Sequence, residues 1–228
     1  MKSGGFTVGV ANPALFLNEE DNCRGAVHGD DFYVLGPTYA VDKVKDMLNH
    51  KYQMRESHRL GFGEGCTRKA TVLNRVVSLG ETGGRRWVRI EPDKRHIELI
   101  VEGVGLNMNS AGVTTPSIKQ TDAQAAALAS ALETSADLSP KDASRYRSGV
   151  MRASFLAQER ADIAEAVKRM AQGMAKPKLA HWEWLKRLAR YLIKYPNICL
   201  VYHQQRMPDF LRIAVDSDFA GEDRKSVV

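Results

Sequence analysis

The sequence predicts an α+β fold, with antiparallel strands in the first part of the chain and helices in the second. Short β-branched and aromatic runs separated by glycine-containing turns extend to about residue 90, which is typical of hairpins. Between residues 142 and 194, apolar residues recur at the spacing of amphipathic helices instead. We therefore expect an antiparallel portion with a hairpin and a flanking helix, then a helical portion, and then one strand.

The first elements are a loop, a short strand and a hairpin. Gly9 and Pro13 interrupt residues 6–17, which predicts a loop and then a strand near residues 14–17. In residues 25–35, two apolar runs flank a Gly-Asp-Asp sequence, and this pattern predicts a strand, a tight turn and a second strand. The two aspartates are therefore expected at the tip of that hairpin.

A helix is predicted after the hairpin. Val41, Val44 and Leu48 share one face over residues 39–50, and Thr38 stands where a capping residue is preferred. Residues 51–65 are polar and end in a glycine-rich turn, so we expect the chain to leave this helix as a loop.

A second hairpin is predicted from the next apolar runs. Residues 70–79 are β-branched and apolar, which favours one strand, and a turn follows at residues 81–84. Trp87, Val88 and Ile90 indicate the returning strand. Residues 94–101 stay ambiguous, because their apolar residues alternate as in a strand but also fit a short helix.

Helices are predicted for most of the remaining chain. Residues 102–122 and 134–141 have the composition of linkers, with an alanine-rich helix between them at about residues 122–133. Residues 142–174 predict one amphipathic helix or two that break near Phe155, and residues 178–194 predict another. The apolar stripes are Ile163, Val167, Met170 and Met174 in the first segment and Trp182, Leu185, Leu188 and Leu192 in the second. A strand is expected at residues 211–215.

Composition is that of a globular protein and argues against several classes. Of the 228 residues 43% are hydrophobic, and no apolar run is long enough to cross a bilayer. Residues 1–6 lack the apolar core of a signal peptide, so we expect an intracellular location, cytoplasmic or nuclear. The three cysteines are far apart and odd in number, which argues against a disulfide framework, and no Cys/His spacing suggests zinc.

The positive charge favours polyanionic partners only modestly. The formal net charge is +6. Four cations, Lys186, Arg187, Arg190 and Lys194, cluster on one face of the predicted 178–194 helix and are candidate nucleic-acid contacts. The simpler interpretation is a solvated helix face, and the pattern alone favours it.

Asp30 and Asp31 are the candidate catalytic and metal-binding residues. Neither has a Lys or Arg beside it in the turn, so the adjacent carboxylates repel each other unless a divalent cation lies near them. Polymerases use such carboxylates to hold magnesium against nucleotide phosphates. The alternative is a turn without metal, since Gly and Asp are ordinary hairpin-turn residues.

A series of segments resembles the polyprotein of copia-type LTR retrotransposons. The first extends from Gly5-Phe6 through residues 13–16 (Pro-Ala-Leu-Phe) to residues 27–31 (Val-His-Gly-Asp-Asp). The others are residues 115–116 (Thr-Pro), 146–150 (Tyr-Arg-Ser-Gly-Val), 160–164 (Arg-Ala-Asp-Ile-Ala), 181–192, which begin with His-Trp, and 216–226, which begin with Asp-Ser-Asp. One short motif carries little weight, but an ordered series over most of the chain is specific.

The resemblance implies a partial reverse transcriptase palm with an antiparallel hairpin, a helical thumb and connection, and one strand of a truncated ribonuclease H. It implies the C-terminal part of the palm and the thumb at 1–120, the connection at 121–205 and the start of ribonuclease H at 206–228. It assigns Mg²⁺ binding to Asp30, supported by Asp31, and to Asp216 in the ribonuclease H. Such an enzyme performs two-metal nucleotidyl transfer on an RNA/DNA primer–template and belongs to the Pol polyprotein.

The chain also departs from the family pattern. His28 stands where the family usually has tyrosine in contact with the primer, although histidine can still stack on or donate a hydrogen bond to nucleic acid. The third polymerase carboxylate, in motif A, the nucleotide contacts of motif B and the later ribonuclease H carboxylates all fall outside the matched segments. We therefore expect the chain alone to lack efficient polymerase or nuclease activity.

Two alternatives to a polymerase fragment stay open. A non-catalytic remnant would bind a primer–template duplex in a salt-dependent way, even without the carboxylates of Asp30 and Asp31. A protein-interaction module built from the paired helices would show no salt-dependent binding to nucleic acid.

Overall fold

The computed structural model describes residues 4–118, 130–206, 209, 210 and 213. The chain divides into two compact units, with the division between Arg59 and Leu60. Each unit contains a four-stranded antiparallel sheet, and helices accompany both sheets. The expectation of a mixed α+β chain with antiparallel sheets is confirmed, whereas the finer boundaries of palm, thumb and connection stay predictions.

The first unit consists of one sheet and one helix. Its strands, hydrogen-bonded in chain order, are β1 (Thr7–Val8), β2 (Leu15–Asn18), β3 (Cys23–His28) and β4 (Asp31–Leu35). Helix α1 spans Thr38–Lys51. Strand β1 lies in the segment where the sequence predicted a loop, and it forms because β2 is beside it to accept its hydrogen bonds.

The predicted cap of α1 is wrong. Thr38 is the first helical residue, and the N-cap is Pro37, which makes no side-chain hydrogen bond. The carbonyl oxygen of Pro37 accepts hydrogen bonds from the N–H groups of Ala40 and Val41. The helix begins one residue earlier than expected because this proline carbonyl, rather than the threonine hydroxyl, satisfies the free amides of the first turn.

One face of the first sheet packs on α1. The buried residues of this core are Phe6, Cys23, Ala40, Val44 and Leu48, with Phe16, Phe32 and Val34 packed against them. Val41, expected on the apolar face, is only half-buried. Side chains alternate along a strand, so Asp31, Tyr33 and Leu35 lie on the face of β4 away from this core.

The second unit contains the second sheet, hydrogen-bonded in the order β5 (Lys69–Val72), β6 (Arg75–Thr82), β7 (Arg85–Glu91) and β8 (Leu200–His203). The prediction of one strand over residues 70–79 is wrong, since a two-residue turn separates β5 from β6. Leu73 and Asn74 both have positive φ, at 48° and 61°, as in a type I′ turn. Strand β8 was not predicted at all.

Helices form most of the rest of the second unit. The helices described over their full length are α2 (Arg95–Gly103), α3 (Pro140–Leu156), α4 (Ala161–Gln172) and α5 (Leu179–Lys194). The ambiguous segment 94–101 is therefore helical, and the long predicted helix does break near Phe155. Of the predicted 122–133 helix, residues 130–133 are described and helical; the rest, and nearly all of the predicted 211–215 strand, lie outside the described residues.

The helices of the second unit surround a large core. Its buried residues are Ile97, Ile100, Val101, Val104, Tyr146, Val150, Ala153, Leu156, Ile163, Val167, Met170, Leu185, Leu188, Ala189, Tyr191 and Leu192. Ser139 caps α3, because its Oγ accepts a hydrogen bond from the Asp142 N–H at 3.1 Å. None of the helices described has the length and apolarity needed to cross a membrane.

Candidate functional site

The β3–β4 hairpin brings Asp30 and Asp31 to its tip. His28 pairs with Asp31 across the two strands, so Gly29 and Asp30 form a two-residue loop. Gly29 has a φ of 63°, and glycine at the first central position is typical of a type II′ turn. The turn thus fixes the backbone that carries both carboxylates.

The side chains at the tip are open to solvent. His28, Asp30 and Asp31 are all exposed. Asp31 lies on the same face as Tyr33, which is the face that α1 does not cover. A ligand can therefore approach both carboxylates without displacing any part of the first unit's core.

Tyr33 orients one of the two carboxylates. Its hydroxyl donates a hydrogen bond to Asp31 Oδ2 at 3.1 Å. Burial, this hydrogen bond and the negative charges of Asp31 and Asp30 raise the pKa of Tyr33 above its ordinary value. In the part of the chain that the structure describes, neither aspartate forms an ion pair with Lys or Arg. The negative charge at the hairpin tip is therefore uncompensated.

The donor atoms at this tip are suited to a hard cation. Mg²⁺ prefers oxygen ligands and commonly binds through one or two carboxylates together with waters and substrate phosphates. Among the described residues, no group of three or more His, Cys, Asp or Glu side chains could hold a metal ion. Asp30 and Asp31 could thus supply part of a magnesium shell but not all of it. Asp216 lies outside the described residues.

Two of the four predicted nucleic-acid contacts on α5 already have protein partners. Lys186 Nζ lies 3.0 Å from Glu183 Oε1, in an ion pair one turn apart. Arg187 Nη2 donates to Thr115 Oγ1 at 2.8 Å. These two cations are half-buried, so they are less accessible to nucleic acid than the helix pattern predicts.

The other two cations are exposed. Residues 112–115 run alongside α5, and the Val113 N–H donates to the Arg190 carbonyl oxygen at 3.3 Å. The side chains of Arg190 and Lys194 nevertheless stay at the surface, with Lys194 Nζ 5.9 Å from the ring centre of Tyr195. The basic face is thus smaller than predicted, because a segment distant in sequence packs along the helix.

A polar network around the buried Arg160 in the second unit was not predicted. The fully buried Arg160 donates from Nε and Nη2 to the two carboxylate oxygens of Asp162, at 2.9 and 2.7 Å. Tyr191 Oη also donates to Asp162, at 2.9 Å. Burial raises the Asp162 pKa, but these hydrogen bonds outweigh it and the net pKa is lowered. An Arg-X-Asp sequence alone does not distinguish such a network from a solvated turn.

Comparison with known proteins gives no match for this chain. No protein-family model, no curated protein and no solved structure resembles it sufficiently to be matched.

Proposed function

We propose that the chain carries part of the palm of a copia-type reverse transcriptase, with Asp30 as a magnesium ligand and Asp31 beside it. The observation that carries the proposal is the tip of the β3–β4 hairpin, where Asp30 in the turn and Asp31 at the start of β4 are both exposed and neither forms an ion pair with the described residues. The helix on the opposite face of the sheet leaves the carboxylate face free for a primer–template duplex. In this proposal the helices of the second unit correspond to the thumb and the connection. Besides the primer–template duplex, the expected partner is the remainder of the Pol polyprotein.

Each residue at the tip has a distinct part in this proposal. Asp30 extends from the turn, whereas Asp31 is oriented by Tyr33 through Oδ2, so that its other oxygen can face a cation. Bound Mg²⁺ would neutralise the nucleotide's phosphates and lower the pKa of the attacking hydroxyl. His28, exposed across from Asp31, can stack on or donate a hydrogen bond to the primer. With two carboxylates only, we expect weak ion binding and no efficient polymerase activity from this chain alone.

Paramagnetic broadening by Mn²⁺ in NMR spectra of the full chain tests the metal site. We expect Mn²⁺ to broaden the amide signals of residues 28–33 first, with a Kd on the order of a millimolar and tighter binding when a deoxynucleoside triphosphate is added. Asp30→Asn should abolish the selective broadening. Asp46→Asn, which removes an exposed carboxylate from α1 of the same unit, is the matched control and should leave it intact. Broadening that is no greater at the hairpin than elsewhere contradicts the proposal.

The exposed cations Arg190 and Lys194 favour a second candidate, a non-catalytic nucleic-acid-binding remnant. It predicts binding to a fluorescent primer–template duplex that weakens steeply between 50 and 200 mM salt. That binding should persist in the Asp30→Asn, Asp31→Asn double variant and decrease in the Arg190→Gln, Lys194→Gln double variant. Duplex binding that requires Mg²⁺ and both aspartates supports the polymerase proposal instead. If no salt-dependent binding to the duplex is observed, the protein-interaction module is the interpretation that remains.

A further inference from the structure

A groove in the helical part of the second unit is lined by both apolar and polar side chains. It has a volume of about 200 Å³ and lies among α2, α3 and α5. Ile100, Val104 and Leu185 supply apolar surface, and Leu99, itself 43% exposed, forms part of the wall. Ser144, Arg145 and Ser148 add polar groups to the same groove.

Two glycines shape this groove. A Cβ atom built on Gly103 would have no other atom within 4 Å, so the space beside α2 is not used by the fold. A Cβ atom on Gly149 would lie 2.8 Å from Leu185 Cδ2, so glycine lets α3 and α5 approach closely at that point. Gly103 is thus not required by packing, and a side chain there would enter the open space.

The polar groups lining the groove retain bonding capacity. Among the described residues, the hydroxyls of Ser144 and Ser148 have no hydrogen-bond partner, whereas Ser154 on the same helix donates to the Val150 carbonyl oxygen at 2.9 Å. Arg145 uses Nη1 for one long contact with Asp142 Oδ1, at 3.4 Å, and its guanidinium carbon lies 5.7 Å from the ring centre of Trp182, a contact that uses none of its N–H donors. A guanidinium has five N–H donors, so Nε and Nη2 of Arg145 are free to bind an anion.

We propose that this groove binds a small carboxylate with an apolar body, such as an arylalkanoate. The apolar surface accepts the ring, and Arg145 binds the carboxylate with Ser144 and Ser148 as further donors. An apolar cavity of about 150 Å³ accommodates benzene, so the volume here suits one ring with a short acid side chain. The site is in the second unit and does not depend on the proposed metal site.

Titration of the full chain with phenylacetate, followed by NMR chemical shifts, tests this proposal. We expect shifts concentrated on residues 99–104 and 144–149, with a Kd on the order of a millimolar. Phenylacetamide and acetate, which lack the charge and the ring respectively, should each bind at least tenfold more weakly. Shifts that are absent or scattered over the surface at 10 mM phenylacetate would overturn the proposal.

Three variants test the assigned roles. Gly103→Leu should fill the groove and abolish binding, and Arg145→Gln should weaken binding roughly tenfold. Asp142→Asn should strengthen it, because it removes the negative charge next to Arg145 while retaining an oxygen to receive the Ser139 hydroxyl. Lys141→Gln is the matched control for the loss of one positive charge on α3 and should change binding less than twofold. Equal weakening by Lys141→Gln and Arg145→Gln would mean attraction by overall charge and would overturn the site.

Discussion

The two units use the same kind of sheet but bury very different amounts of apolar surface. Each sheet has four antiparallel strands in chain order. In the part of the chain that is described, the core of the first unit contains five buried residues, whereas the helical core of the second unit contains sixteen. Since stability rises with buried apolar area, we expect the second unit to be the more stable of the two.

The units also differ in where they place charge. Among the described residues, the buried Asp, Glu, Lys, Arg and His side chains are Glu159, Arg160 and His181, all in the second unit. The first unit instead leaves Asp30 and Asp31 exposed at a turn. Buried charges must be paired within the protein, whereas exposed carboxylates are free to bind a ligand. The stability of the second unit therefore depends on its internal polar contacts, whereas the carboxylates at the hairpin of the first unit contribute no such contact with a cation among the described residues.

The largest expected effect comes from removing the carboxylate that pairs with Arg160. Asp162→Ala should lower the free energy of unfolding of the second unit by about 3–5 kcal/mol, because it leaves a fully buried guanidinium without its counter-charge. Urea unfolding followed by tryptophan fluorescence measures this, since Trp87, Trp182 and Trp184 all lie in the second unit. A decrease of less than about 1 kcal/mol in the free energy of unfolding would show that the Arg160 guanidinium does not need the carboxylate of Asp162, and would contradict the prediction.

Cavity-forming variants test whether the two cores are separate. Leu188→Ala should lower the free energy of unfolding that tryptophan fluorescence reports by about 3 kcal/mol, because Leu188 is completely buried among the helices. Leu48→Ala should speed hydrogen exchange in α1 and leave the tryptophan transition nearly unchanged. If Leu48→Ala lowers the free energy of unfolding reported by tryptophan as much as Leu188→Ala does, the two units unfold together and their cores do not differ independently in stability.

Mild acid should weaken the second unit through the buried His181 and the half-buried His96. Burial lowers the pKa of His181 and of His96 below the ordinary value of 6.5. A lowered folded-state pKa means that the stabilisation is fully present above pH 6.5 and is lost as the pH falls toward the folded-state pKa. The melting temperature reported by tryptophan should thus decrease between pH 7.5 and pH 5. His181→Gln should reduce that decrease, whereas His203→Gln, at an exposed position on β8, should not.

The smallest expected effect is a gain in stability at the β5–β6 turn. Leu73 has a φ of 48°, a conformation that costs a residue with a side chain about 1 kcal/mol, and its side chain is 40% exposed. Leu73→Gly should therefore stabilise the second unit by up to about 1 kcal/mol. Gly83→Ala, at a φ of 57° in the β6–β7 turn, should have the opposite effect. Destabilisation by Leu73→Gly would show that Leu73 contributes packing that outweighs its strain.

The sequence pattern alone correctly predicts those turns and helices that depend mainly on residues close together in the chain. The Gly-Asp sequence between two apolar runs correctly predicts the β3–β4 hairpin, and Gly83-Gly84 predicts the β6–β7 turn, because glycine tolerates the backbone angles that such turns require. The stripes containing Ile163 and Leu188 likewise predict two amphipathic helices. The sequence therefore determined where the candidate carboxylates lie and what holds their backbone.

The tertiary structure decided the features that depend on residues distant in the chain. Leu73-Asn74 becomes a turn, against the preference of leucine, because β5 and β6 pair on either side of it. Strand β8 forms only because the edge of β7 is there to receive its hydrogen bonds. Residues 112–115 cover part of the basic face of α5. This contact also joins segments that are far apart in sequence, so no pattern of neighbouring residues predicts it.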